Sequence, residues 1–95
     1  MLLLRTVETA APPAGAQVVA LPTLSWQEFP AAAQYEVFVV DAGTTELLHH
    51  EFVTDTHFTV TAPLPPGRTY NWVINAVAAD GGLLATGDSR FAVQP

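Results

Sequence analysis

"LPPGRTYNWVINAV", residues 64–77, decides how this chain folds. After two prolines and a glycine, Tyr70, Trp72, Ile74 and Ala76 alternate with Asn71, Val73, Asn75 and Val77. A period of two places the first set on one face of a β-strand and the second set on the other. Pro65 and Pro66 restrict the backbone ahead of that strand, and Gly67 frees it, which is the composition of a sharp corner. The stretch reads as a corner feeding a strand whose aromatic face is buried.

The same alternation recurs upstream in residues 34–40, where Tyr35, Val37 and Val39 oppose Glu36, Phe38 and Val40. Shorter strands fit residues 23–27, 46–53, 57–61 and 89–93, with an opening strand within residues 2–10 and a continuation at 17–21. Turn-forming residues separate them at 11–15, 29–33, 41–45, 63–67 and 79–82. About seven short strands in so short a chain predict an all-β, seven-stranded antiparallel β-sandwich. Its core is expected to comprise Leu24, Trp26, Tyr35, Val37, Val39, Phe58, Val60, Leu64, Trp72, Ile74, Ala76, Phe91 and Val93.

Composition narrows the function. The chain has 95 residues, 49% of them apolar and 13% charged, which is enough for one packed domain spanning residues 1–95. Residues 1–6 are read as an extra N-terminal segment or linker. There is no cysteine, so stability rests on burial without disulfides or thiolate metal sites. Three arginines against nine carboxylates give a net charge of −6, which repels phosphate backbones and argues against nucleic acid as a partner. The start "MLLLRTVE" has no basic residue ahead of its leucines and too short an apolar run for a signal peptide. Nothing in the chain approaches the roughly 20 apolar residues needed to span a bilayer, so no membrane insertion is expected.

No catalytic or metal centre emerges. Adjacent strand residues point to opposite faces, so His49 and His50 do not share a ligand set, and His50 with His57 across a hairpin is the remaining pairing. Ser25 and Ser89 lie outside any nucleophile-elbow context, and no glycine-rich phosphate cradle precedes a helix. Asp41, Asp55, Asp80 and Asp88 sit in or beside turns that could converge at one end, but no spaced calcium-loop motif links them. The expectation is no enzyme activity, no cofactor, no metal and no small-molecule ligand.

The order of these features resembles a fibronectin type III domain of the kind found in bacterial exported proteins, an immunoglobulin-like sandwich. The resemblance runs through "PTLSW" with Trp26, the turn at Pro30, "YEVFV", "HFTV", Leu64, Pro66-Gly67, Thr69-Tyr70, "WVINAV" and "SRFAV". It covers residues 7–94, with the leucines at 2–4 and the second glycine at 81–82 as departures. It implies three strands in one sheet and four in the other. It also implies a tyrosine corner, in which the Tyr70 hydroxyl bonds backbone near Leu64–Gly67. Burial of a tyrosine independently demands a partner for its hydroxyl. Trp26, Tyr35, Leu64, Tyr70 and Trp72 are thus expected to be structural.

With those residues turned inward, Phe38, Val40, Val73 and Val77 face away from the core. They form a candidate apolar interaction strip on a face that usually meets solvent. The resemblance implies a non-catalytic module, acting as spacer or protein-interaction unit of a longer secreted or cell-surface chain. Its partners would be other protein modules or copies of itself. A structural subunit of a homomeric surface assembly is the alternative. A carbohydrate-binding module ranks lower, because sugar platforms need exposed aromatics and both tryptophans read as buried.

Overall fold

The computed structural model describes residues 5–95. The leucines at 2–4 lie outside the described residues. Nine strands occur among those described: β1 (Arg5–Thr6), β2 (Thr9–Ala11), β3 (Ala16–Val18), β4 (Thr23–Trp26), β5 (Gln34–Asp41), β6 (Leu47–Val53), β7 (His57–Thr59), β8 (Thr69–Val77) and β9 (Leu83–Val93). The larger sheet runs β1-β9-β8-β5-β6, with β3 also on β9, and the smaller runs β2-β4-β7. The fold is the expected all-β sandwich.

The opening segment accounts for the two additional strands. Arg5–Thr6, read from sequence as part of an extra segment or linker, pairs in parallel with Ala85–Thr86. The chain then crosses to the smaller sheet, where β2 pairs with β4 across a register shift. Past Pro12 and Pro13 it returns as β3, parallel to Phe91–Val93. Proline cannot donate to a ladder, so this pair of residues ends β2 and sends the chain back to the other sheet. The sandwich is therefore antiparallel except along β9, where both covers run parallel.

The last strand also begins earlier than expected, at Leu83 rather than Ser89. Gly87 looks like an interruption in sequence, yet it lies inside β9, opposite Ile74. A Cβ there would collide with the carbonyl oxygen of Val7. Only a hydrogen side chain lets the opening segment pass this close, so the glycine permits the crossover rather than ending the strand.

Between the sheets, Leu24, Val37, Val39, Tyr70, Trp72, Ile74, Ala76, Ala85 and Phe91 are fully buried. Alternation along β5 and β8 decides which residues these are, as the pleat requires. Trp26 lies 5.5 Å from Tyr35 in an edge-on arrangement and 6.3 Å from Trp72. Such aromatic pairs add about 0.5–1.5 kcal/mol beyond burial. Phe58, expected in the core, is half-buried at its margin. It sits on β7, a three-residue strand at the edge of the smaller sheet, with fewer neighbours to cover it.

Candidate functional site

The corner at residues 64–70 is a fastening. Leu64 is buried, Gly67 has a left-handed φ of 74°, and Tyr70 begins the inward face of β8. The Tyr70 hydroxyl donates to the carbonyl of Pro65 at 2.6 Å, which is the tyrosine-corner bond. Burial pushes the Tyr70 phenol above its ordinary range, Asp41 adds to the rise, and Arg68 opposes it. The corner also holds the end of β9: the Gly67 amide donates to Val93 at 3.0 Å and the Val93 amide to Arg68 at 2.9 Å.

Asp41 faces Tyr70 across the β5–β8 ladder and is buried despite its charge. Its Oδ1 accepts the amides of Gly43 at 2.8 Å and Thr44 at 3.1 Å, while Oδ2 accepts Arg68 Nη1 at 2.8 Å. The Gly43 and Thr44 amides hold the carboxyl below its ordinary range. Burial opposes them, and the Arg68 guanidinium contributes further lowering. Read from sequence as one of four acids in or beside turns, Asp41 is a buried anchor. An aspartate ahead of Ala-Gly-Thr, accepting amides two and three residues on, is the signal that identifies it.

The four turn-associated aspartates form no group of three among the described residues, and Asp55 lies in the turn between β6 and β7. Asp41 lies opposite the start of β8, whereas Asp80 follows its end and accepts the Gly82 amide at 2.9 Å. Asp88 stands on the outward face beside Val73. The histidines separate as well: His49 packs edge-on 6.4 Å from Phe58, His50 lies on the opposite face, and His57 is exposed.

The outward face of the larger sheet holds the candidate interaction residues in three rows across β6, β5, β8 and β9. The first row is Phe52, Glu36, Asn75 and Thr86. In it Asn75 Nδ2 donates to Glu36 Oε1 at 3.2 Å, and Thr86 Oγ1 donates to Asn75 Oδ1 at 2.7 Å. The second row is His50, Phe38, Val73 and Asp88. The His50 ring stacks on Phe38 at 4.4 Å and 9°, and its Nε2 lies 2.7 Å from Glu36 Oε2. The third row is Leu47, Val40, Asn71 and Arg90, with Arg90 Nε donating to Asn71 Oδ1 at 3.2 Å.

Phe38, Val40 and Val73 do face outward, but all three are half-buried. A polar frame surrounds them, and His50 covers Phe38. Val77 departs from the expectation and is buried, because the β8–β9 register shifts between Ala76 and Val77 and breaks the alternation. Exposed apolar area moves instead to β6, where Phe52 is 54% and Leu47 51% exposed. Phe52 lies 5.4 Å from His50 and extends the aromatic row to the sheet edge. Sequence reading missed Phe52 because "ELLHHEFV" lacks clean alternation. A bulge between the partners of Val39 and Val40 disrupts it.

Neither tryptophan reaches the surface. An open depression of about 470 Å³ lies on the β8–β9 side, lined by Ala14, Gly15, Asn71, Asp88, Ser89 and Arg90. Its lining holds one carboxylate, Asp88, and one guanidinium, Arg90, and no aromatic ring.

No family model matches the chain, and no curated protein does. Solved structures do. The fibronectin(III)-like modules of CbhA from Clostridium thermocellum superpose with a TM-score of 0.62 at 14% identity, covering 94% of this chain and 96% of that one. The crystal structure of FN3tt gives 0.55 at 18% identity, covering 94% of this chain and 98% of that one. At such identities the likeness is one of architecture. The chain has the fibronectin type III fold.

Proposed function

We propose that this protein is a non-catalytic module, a spacer and protein-contact unit within a larger exported chain. The spacing of β1 and Val93 along β9 carries the reading. β1 lies beside Ala85–Thr86 near the start of β9, and the described chain ends just past Val93. Eight residues of strand at 3.3 Å each separate those points by about 26 Å. Segments joined ahead of β1 and after β9 would be held apart by about that distance on a body measuring 41 × 27 × 21 Å. The buried Trp26–Tyr35–Trp72 cluster and the Tyr70 corner supply the rigidity such a role needs. The outward rows around Phe38 and Val73, extended by Phe52, supply the contact surface.

The test is to place the module between a donor and an acceptor fluorescent protein at low concentration. A spacer gives one narrow distance distribution that broadens only when the module is denatured. A distribution matching a flexible glycine-serine linker of equal length would overturn the reading.

A further inference from the structure

The two edges of the larger sheet are not alike. The β9 edge is covered by β1 and β3, whereas β6 pairs only with β5 among the described residues. β6 is seven residues long, and its sequence, LLHHEFV, contains neither proline nor lysine. Without proline every β6 amide left free by β5 can donate to a further strand, while the inward-facing charge of Glu51, which opposes pairing when unmatched, has to be met by that strand. β6 also displays Phe52 and Leu47, two of the five large apolar side chains exposed among the described residues.

The sequence of β6 indicates what that strand is. Set antiparallel to itself about His50, β6 places His49 opposite Glu51 of a second copy, and Glu51 opposite its His49. Both belong to the face toward the smaller sheet, since His49 pairs with Val39 and Glu51 with Val37, both buried. They therefore meet on one side of the extended sheet. Glu51 is exposed, and its carboxylate makes no ion pair among the described residues. On the outward side His50 meets its own copy, with each Phe52 diagonal to the other chain's His50. Diagonal neighbours in a sheet lie about 7–8 Å apart, within reach of aromatic rings. Moving the axis one residue to Glu51 would set two carboxylates directly opposite each other, which is unfavourable. The two imidazole–carboxylate pairs thus favour a second copy as the partner, and His50 over Glu51 as the axis. We infer that β6 is a homotypic docking edge, pairing antiparallel with β6 of a second copy about His50 so that two larger sheets become one. This rests on the reading of the protein as a contact module and names its partner.

The native chain has no cysteine, so single cysteines report the pairing directly. His50→Cys, Glu51→Cys and, on the outward face away from this edge, Asp88→Cys are oxidised at equal concentration. Folding of each is confirmed by far-ultraviolet circular dichroism. The expected result is disulfide-linked dimer from His50→Cys at least tenfold faster than from Asp88→Cys, with Glu51→Cys slower than His50→Cys. Equal rates for all three, or Glu51→Cys fastest, would overturn the proposal. Sedimentation equilibrium gives a second reading without cysteine. Glu51→Lys should weaken dimerisation at least tenfold, and the double variant His49→Glu, Glu51→Lys should restore it. A charge reversal without effect, or a double variant weaker than the single one, would also overturn it. The distance measurement on the isolated spacer is made on the monomer, so either result can fail without the other.

Discussion

The two edges of the larger sheet answer one physical problem in opposite ways. A strand at an edge carries a row of unpaired amides and carbonyls that water, the chain itself or another chain must satisfy. At β9 the chain closes its own edge, laying Arg5–Thr6 and Ala16–Val18 along an eleven-residue strand. At β6 no described segment does so, and the strand keeps two exposed apolar side chains beside a histidine-glutamate pair. Closing an edge from within takes sequence: a glycine where the segment crosses and prolines where it turns back. Leaving an edge open takes none, which is why the closed edge carries the tighter constraints. Substitutions there should be the more damaging.

The largest effect is expected at Gly87. An alanine methyl would meet the Val7 carbonyl, which belongs to the backbone and moves only if the crossover moves. The Val7 amide bonds Thr86 at 3.0 Å, so the shift would break the contact that seats β1. Gly87→Ala should cost about 3 kcal/mol, at the upper end for overpacking, and should convert the closed edge into a second open one. Denaturant unfolding measures the first, and faster amide exchange at Val7 measures the second. A change below about 0.5 kcal/mol would mean the crossover has slack the structure does not show.

The corner at Tyr70 comes next, since Gly67 and Arg68 bind the final residue of β9. Tyr70→Phe leaves the Pro65 carbonyl without its hydroxyl partner and should cost about 1–3 kcal/mol. It should also change behaviour in alkali. The phenol's folded value is raised above the ordinary 10.0, so the neutral form is favoured on folding. That contribution is fully present below about pH 10 and is lost as pH rises through the folded value. Stability of the native protein should therefore fall more steeply above pH 10 than that of the phenylalanine variant.

Much of this architecture was legible in the sequence, for a definite reason. In β5, and in β8 as far as Ala76, both faces keep strict alternation, so Tyr35, Val37, Tyr70, Trp72 and Ile74 announce the core by period alone. The Pro-Pro-Gly-Arg-Thr-Tyr order announces the corner. Legibility fails where alternation is interrupted or where a residue acts over long sequence distance. Gly87 serves Val7, eighty positions away by number, and without the fold it reads as a break in the strand. Val77 and Phe52 stand next to or beyond register shifts, so counting by twos misplaces one and overlooks the other. Asp41 was visible as a turn residue, but its burial depends on Arg68 arriving from another loop.

Asp41 also sharpens the comparison, because its turn launches the open edge. The Asp41 amide donates to Glu46 at 2.9 Å, just ahead of β6, and Oδ1 orders Gly43 and Thr44. The carboxyl is held below the ordinary 3.8, so the charged form is favoured on folding. Its contribution is present above about pH 4 and disappears as pH falls through the lower folded value. Asp41→Asn should lose less at neutral pH than Tyr70→Phe, and its stability should fall less steeply than that of the native protein as pH is lowered from 5 to 2. Parallel acid limbs for the two proteins would show that the Gly43 and Thr44 amides do not favour the ionised form.

The smallest effect on stability is expected at Phe52, and it bears most on the open edge. The ring is 54% exposed and lies 5.4 Å from the His50 ring between centroids. Exposed positions of this kind change stability by about 0.5 kcal/mol or less. Phe52→Ser should therefore leave the denaturation midpoint nearly unchanged while weakening β6–β6 association in sedimentation, because the ring's remaining apolar area is available only to a partner. Phe38, one strand inward, supplies the control: its ring is half-buried under His50, so Phe38→Ser should lower the midpoint measurably. If Phe52→Ser destabilises the monomer as much as Phe38→Ser, the ring belongs to the fold. The β6 edge would then be finished by its own side chains, as β9 is finished by its own chain.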